Sequence, residues 1–234
     1  DDFLIINSDA NDISLDGGSG SDWLAFRTVN WGASSAKTYT LNSGNASNFE
    51  NLLGSDSDDT LTGDTNANII IGSAGADTIN GGNGNDVLWG DCTTLSCTNL
   101  ISQNQSSYSI STGGNDILNG GAGDDTLYGE DGDDTLDGGP GNDSITGGAG
   151  IDTFIIRTGD GGASISDADV ISDFTDGTDI IGMSGLNYSE LTVEQGSGDY
   201  ASHVVVKKLS SGEFLTVIQN INLSQVDDND FSAI

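Results

Sequence analysis

Between Gly54 and Ile155 a nine-residue unit of the form GGxGxDxUx, with U a large apolar residue, recurs almost without slippage. The units in register are GSDSDDTLT from Gly54, GDTNANIII from Gly63, GSAGADTIN from Gly72, GGNGNDVLW from Gly81 and, after an insertion, STGGNDILN from Ser111. GGAGDDTLY from Gly120, GEDGDDTLD from Gly129, GGPGNDSIT from Gly138 and GGAGIDTFI from Gly147 follow. Position six is Asp59, Asn68, Asp77, Asp86, Asp116, Asp125, Asp134, Asp143 and Asp152, and position eight is apolar throughout. An isolated further copy, GGSGSDWLA, adds Asp22 and Leu24. Within each unit the first six residues are turn formers and the last three are strand-like, so turn and strand alternate and helix has no foothold. Two units make one coil of about 18 residues; parallel strands of successive coils stack roughly 4.8 Å apart, and every U side chain enters a thin core. Positions seven and nine then face solvent, which puts Trp89 and Tyr128 on the surface.

The charge balance narrows the partners. Five Lys and Arg against 37 Asp and Glu give a net charge of −32, which repels nucleic acid phosphate and anionic lipid and favours divalent cations. Such acidity alone would leave a chain disordered; the period argues for order once metal is bound. The 35 glycines and single proline suit tight turns, and no apolar run reaches transmembrane length. The opening DDFLIINSDAND has neither a basic n-region nor a signal-peptide core, so the expectation is a piece of a longer protein with any such leader elsewhere.

Flanking the array, residues 1–53 read as a β-rich N-terminal cap holding the isolated repeat: Phe3 to Ile6 and Leu15 as strands, then FRTVNW, KTYTL and NFENLL as a hairpin over one end of the array. The array occupies 54–155, with a surface insertion at 90–110 that carries Cys92 and Cys97. A small disulfide ring and a pair of free thiols both remain open readings for them. Residues 156–234, with DVISDFTDGTDIIGM, YSELTVEQ, HVVVKKL and FLTVIQNI, read as a C-terminal β cap or small sandwich.

Stacking brings the position-six carboxylate of one unit beside that of the unit two further on. Two charges about 5 Å apart repel by roughly 3 kcal/mol at an effective dielectric of 20, so closure requires a counter-ion. Calcium fits, because it accepts six to eight hard oxygens in flexible geometry and Gly-rich turns expose carbonyls. One column of sites pairs Asp59 with Asp77, then Asp116, Asp134 and Asp152; the other pairs Asn68 with Asp86, then Asp125 and Asp143. About seven ions are expected. The Asn68 site is the weakest through its lost charge, and the Asp77/Asp116 site is at risk because the insertion enters its turn.

GGNGNDVLW, GGAGDDTLY and GGPGNDSIT resemble the calcium-binding repeats of the RTX (repeats-in-toxin) family. The resemblance implies an all-β, right-handed parallel β-roll, a β-solenoid of nonapeptide repeats with β-rich capping segments at both ends. GGAGIDTFI…DVISDFTDGTDIIGM is similar to the segment that ends RTX arrays in type I secreted proteins, which implies that Asp173 joins the last metal site. The terminal Asp230-Phe231-Ser232-Ala233-Ile234 resembles their uncleaved secretion signals. Asn68, Ser111 and Thr112 in place of the Gly pair, and the cysteine loop, depart from the pattern.

The implied function is a monomeric, calcium-folded, non-catalytic module carrying the type I secretion signal of a large secreted bacterial adhesin or toxin. Its partners are calcium, the type I secretion machinery and any host or surface ligand of the parent protein. The alternative is the C-terminal RTX domain of a secreted hydrolase or polysaccharide epimerase whose catalytic part lies upstream. The chain has no HExxH or GxSxG, and its lone histidine, His203, precedes a VVV strand and reads as structural. Ice or carbohydrate binding by a flat solenoid face is less favoured, since position three carries no regular Thr ladder.

Overall fold

The computed structural model describes residues 3–6, 15–16, 18–19, 21–26, 36–42, 46–91 and 113–234. Cys92, Cys97, Ser111 and Thr112, and with them the disulfide question, lie outside the described residues. Among the described residues there is no α-helix, only strands and short 3₁₀ turns. The strands form an 11-stranded sheet, an eight-stranded sheet and a two-stranded pair, Leu15–Asp16 with Ala46–Ser47.

The larger sheet runs Phe3–Ile6, Trp23–Phe26, Asn51–Leu53, Ile69–Ser73, Val87–Asp91, Thr126–Asp131, Ser144–Ala149, Asp169–Ile171, Phe214–Ile218, Val204–Lys208 and Leu191–Gln195. The smaller runs Thr38–Thr40, Thr60–Thr62, Thr78–Asn83, Ile117–Ala122, Thr135–Asp137, Thr153–Arg157, Ile180–Ser184 and Phe231–Ala233. All pairings are parallel except those of Val204–Lys208 with its two neighbours. Consecutive units alternate between the sheets, as a coil of two units requires, and the molecule is a β-roll.

The reason is the position-eight side chain. Leu61, Ile70, Leu88, Leu118, Leu127, Leu136 and Phe154 are completely buried, and register keeps them stacked: Ile70 faces Leu88, Leu88 faces Leu127, and Leu118 faces Leu136. Each such side chain contributes about 1.5–3 kcal/mol when fully buried. Among the described residues, positions seven and nine face away from the space between the sheets, because successive residues of a strand face opposite ways.

Four expectations need correction. The roll does not begin at Gly54: the segment around KTYTL and NFENLL supplies parallel strands, not a hairpin, with Thr38–Thr40 beside Thr60–Thr62 and Asn51–Leu53 between Trp23–Ala25 and Ile69–Ile71. The copy at Asp22 is therefore an integral coil. Nor does the roll stop at Ile155. Asp169–Ile171 and Ile180–Ser184 extend both sheets in parallel, and an antiparallel pair closes only the larger one. These terminal coils keep an acidic or polar residue followed two places on by an apolar one, as in Asp169-Val170-Ile171 and Asp179-Ile180-Ile181, but have lost the glycines that advertise the unit.

The interruption is also placed differently. Val87–Asp91 continues in register with Ile69–Ser73, Asp91 opposite Ser73, so Gly90 and Asp91 fill positions one and two of the interrupted unit. Residues 92–112 are inserted behind them, before Gly113 and Gly114. Finally, Trp89 is buried, not exposed. It stacks on half-buried Tyr128 with ring centroids 4.1 Å apart, in an apolar cluster with Ala25, Leu53 and Ile71 on the outward face of the larger sheet. Outward positions are polar over most of the roll but apolar in these neighbouring units of one sheet.

Candidate metal centres

Each turn folds as it does because glycine stands where no side chain fits. Gly84, at position four, has φ 110°, a region that favours glycine. The position-one glycine has a steric role. A Cβ on Gly72, Gly81, Gly90, Gly120 or Gly129 would overlap the Asp Oδ2 of its own unit, five residues on outside the interruption, and the carbonyl of the matching glycine in the next coil. The turns thus draw a carboxylate oxygen and glycine carbonyls from adjacent coils towards each other.

The position-six side chains form two ladders. In one, Asp77 Oδ1 accepts the Asp59 N–H at 2.7 Å, Asp116 that of Asp77 at 2.7 Å, Asp134 that of Asp116 at 2.8 Å and Asp152 that of Asp134 at 3.0 Å. In the other, Asp86 Oδ1 accepts the Asn68 N–H at 2.7 Å, Asp125 that of Asp86 at 2.7 Å and Asp143 that of Asp125 at 2.8 Å. The sequence spacing brings these residues together in two files. It missed the residues that lengthen the files: Asp169 Oδ1 accepts from Asp143 and Asp179 Oδ1 from Asp152, each at 3.1 Å.

The Oδ2 atoms have a different environment. Those of Asp77, Asp86, Asp116, Asp125, Asp134 and Asp143 are buried and have no hydrogen-bond partner. An unpaired buried carboxylate oxygen costs several kcal/mol, and a cation relieves it. Burial, reinforced by the neighbouring carboxylates, pushes Asp77 up to about 9, Asp116 to about 8, Asp86 and Asp152 to about 7 and Asp134 to about 6. Asp125, Asp143 and Asp169 move the same way, burial again leading. Among the described residues no three acidic, histidine or cysteine side chains converge on one point. An ion here would therefore draw on carboxylates of neighbouring coils together with backbone carbonyls, the hard-oxygen set that suits calcium. On both counts, orphaned oxygens and donor chemistry, the interior turns fit.

The ends differ from the interior. Asp59 Oδ1 accepts the Lys37 N–H and Oδ2 the Ser55 N–H, both at 2.5 Å. Lys37 stands at position six of that first coil, a lysine where the file otherwise has aspartate. Asn68 Oδ1 accepts the Asp64 N–H at 2.8 Å while its amide donates to the Glu50 carbonyl at 3.0 Å, so protein groups satisfy this turn. Asp22 is fully buried at the head of the second file, its N–H donating to Glu50 Oε2 at 2.8 Å. Glu50 is thus a further position-six acid, hidden from sequence reading by the longer side chain. Asp173 lies on the turn of Asp152, accepting the Gly147 and Gly148 N–H groups at 3.0 and 2.9 Å. At the far end of the second file Arg157 pairs with Asp137 and, at 3.8 Å, with buried Asp160. His203 Nδ1 accepts the Asn220 N–H at 3.0 Å, a structural contact.

A second ladder lies outside the first. Position-five side chains accept the N–H of the next coil's position-five residue, as Asn115 does from Asp133 and Asp133 does from Ile151. The recurrent Asn-Asp and Asp-Asp pairs were its sequence signal.

The model of the RTX calcium-binding nonapeptide repeat matches residues 53–88, 110–145 and 127–154. A search of curated proteins finds no match. Among solved structures the chain is similar to the AlgE6R3 subunit of the Azotobacter vinelandii mannuronan C5-epimerase, at 28% identity over 51% of this chain and 73% of that one, with a TM-score of 0.39. It is also similar to the extracellular lipase LipA of Serratia marcescens, at 14% identity over 90% of this chain and 44% of the lipase, with a TM-score of 0.34.

Proposed function

We propose that this chain, which carries RTX calcium-binding nonapeptide repeats, is a calcium-folded, non-catalytic module carrying the type I secretion signal of a large secreted bacterial adhesin or toxin. The observation that carries this reading is the set of buried Oδ2 atoms without partners on Asp77, Asp86, Asp116, Asp125, Asp134 and Asp143. Calcium supplies the positive charge that these files lack. The residues that would hold it are the paired position-six groups Asp59, Asn68, Asp77, Asp86, Asp116, Asp125, Asp134, Asp143 and Asp152, with Asp22 at one end and Asp173 and Asp179 at the other. Turn carbonyls complete each set.

Export follows from the same chemistry. At low calcium the acidic chain stays extended and can thread a channel; at high external calcium it folds, which favours one-way transport. The end of the chain supports this order of events. Phe231–Ala233 is the last strand of the smaller sheet, paired with Ile181–Met183, and Asp230 is buried. A signal at Asp230–Ile234 is then legible only in the unfolded chain. The module is monomeric and extracellular, and its charge of −32 keeps it from nucleic acid.

Appending the full chain to an unfolded passenger in a bacterium with a type I exporter tests the reading. Export of the passenger, lost on removal of Asp230–Ile234, supports it. Export that is indifferent to this deletion refutes the assignment of the signal.

A further inference from the structure

The turn at the interruption, expected from sequence to be at risk, holds a carboxylate at position two, Asp91. Asp91 follows Gly90 at position two, opposite Ser73 in the preceding coil. It is fully buried, at 0% exposure. Its Oδ2 accepts the Gly114 N–H at 3.0 Å, and its Oδ1 is buried with no hydrogen-bond partner. Gly90, the residue before it, lies against Asp116 Oδ2, so Asp91 belongs to the turn of Asp116 in the first file. A Cβ on Gly113 would overlap both Asp91 Oδ2 and the Asp131 carbonyl, so a backbone oxygen of the next coil meets Asp91 there.

Asp64 supplies the contrast. It also stands at position two, in the other file, but its oxygens are met by the Asn66 N–H at 2.8 Å and the Asn42 amide at 2.6 Å. Two aspartates at one position of the repeat therefore have opposite fates: one is satisfied by neighbouring amides, the other is sealed in with an orphaned oxygen. A buried carboxylate without partner is retained at a cost of several kcal/mol unless a cation compensates it.

We propose that Asp91 is an additional calcium ligand outside the repeated position six, so that the interrupted turn of Asp116 is the tightest site of the roll. The inference rests on the calcium reading above. Calcium affinity rises with the number of charged ligands, and the aspartate adds one where the preceding coil of the same file has Ser73.

The test is calcium titration of the full chain by calorimetry and native mass spectrometry, on the native protein and on Asp91→Asn, Asp91→Ser and Asp64→Asn. Asn keeps an acceptor for Gly114, and Ser is what the neighbouring coil already carries. Expected is loss of the highest-affinity step in both Asp91 variants, its dissociation constant rising on the order of tenfold or more, with that step intact in Asp64→Asn. Superimposable isotherms for the native chain and Asp91→Asn would overturn the proposal. A native chain that binds no calcium would instead overturn the calcium reading. Should the Asp91 variants fail to fold in saturating calcium, Trp89 provides the readout, since it sits two residues away on the same strand, about 7 Å along it. The first equivalent of terbium should then give tryptophan-sensitised luminescence that Trp89→Phe largely removes; emission unchanged in Trp89→Phe would overturn the proposal.

Discussion

Acidifying the metal-free chain from about pH 8.5 to about pH 6 is expected to drive it from extended to folded, the reverse of ordinary acid denaturation. The files contain neighbouring ionisable pairs, five from Asp59 through Asp77, Asp116, Asp134 and Asp152 to Asp179 and three from Asp86 through Asp125 and Asp143 to Asp169. Fully ionised, at about 5 Å and an effective dielectric of 20, each pair repels by roughly 3 kcal/mol, or about 25 kcal/mol together. That exceeds the net stability of about 5–15 kcal/mol that a domain commands. Protonating alternate members removes every pair. Burial raises Asp77 to about 9, Asp116 to about 8, Asp86 and Asp152 to about 7 and Asp134 to about 6, against about 3.9 in the unfolded chain. A folded value above the unfolded one means that folding takes up protons, so the stabilisation is present at low pH and lost as pH rises through the window of about 6 to 9. Ordinary carboxylates stay ionised throughout this window, so the unfolded chain's own charge barely changes. Far-UV circular dichroism and hydrodynamic radius of the calcium-stripped chain give the readout. A chain equally folded at both pH values, or one that expands on acidification, would refute the reasoning.

Further perturbations separate the contributions of turns, core and ends. Gly120→Ala places a Cβ against Asp125 Oδ2 and the Gly138 carbonyl; it should lower the urea midpoint in saturating calcium by the equivalent of about 1–3 kcal/mol and remove one ion by native mass spectrometry. Leu127→Ala, at a side chain with 0% exposure, should cost about 2–5 kcal/mol in the same assay with the ion count unchanged. Arg157→Leu strips buried Asp160 and Asp137 of their cation and should cost about 3 kcal/mol in calcium, detected as an earlier unfolding midpoint.

What the sequence revealed and what it hid have a common physical cause. The nine-residue period is legible because position eight must be apolar and position one must lack a Cβ, and both demands recur in every interior coil. From those two constraints follow the two-unit coil, the parallel register and the pairing of Asp77 with Asp116 across the insertion. The outermost coils keep the strand without the glycine at position one, and a protein donor meets the carboxylate, as the Thr175 N–H meets Asp179 Oδ2. They need no glycine turn, so Glu50, Asp169 and Asp179 were invisible to a glycine-anchored pattern. The burial of Trp89 is not legible from alternation, which tells which side a residue faces, whereas burial depends on what shares that side, here Tyr128 and Ile71. Asp91 is hidden in the sequence because residues 92–112 separate the first two positions of its unit from the other seven.

The most direct test is calcium titration of the stripped full chain at about pH 7.5, followed at once by circular dichroism and native mass spectrometry. The expected result is a metal-free chain without β signal that folds cooperatively as about seven ions bind. A chain with its full β spectrum in excess chelator at this pH, or one saturated by one or two ions, would contradict the view that calcium closes the two aspartate files.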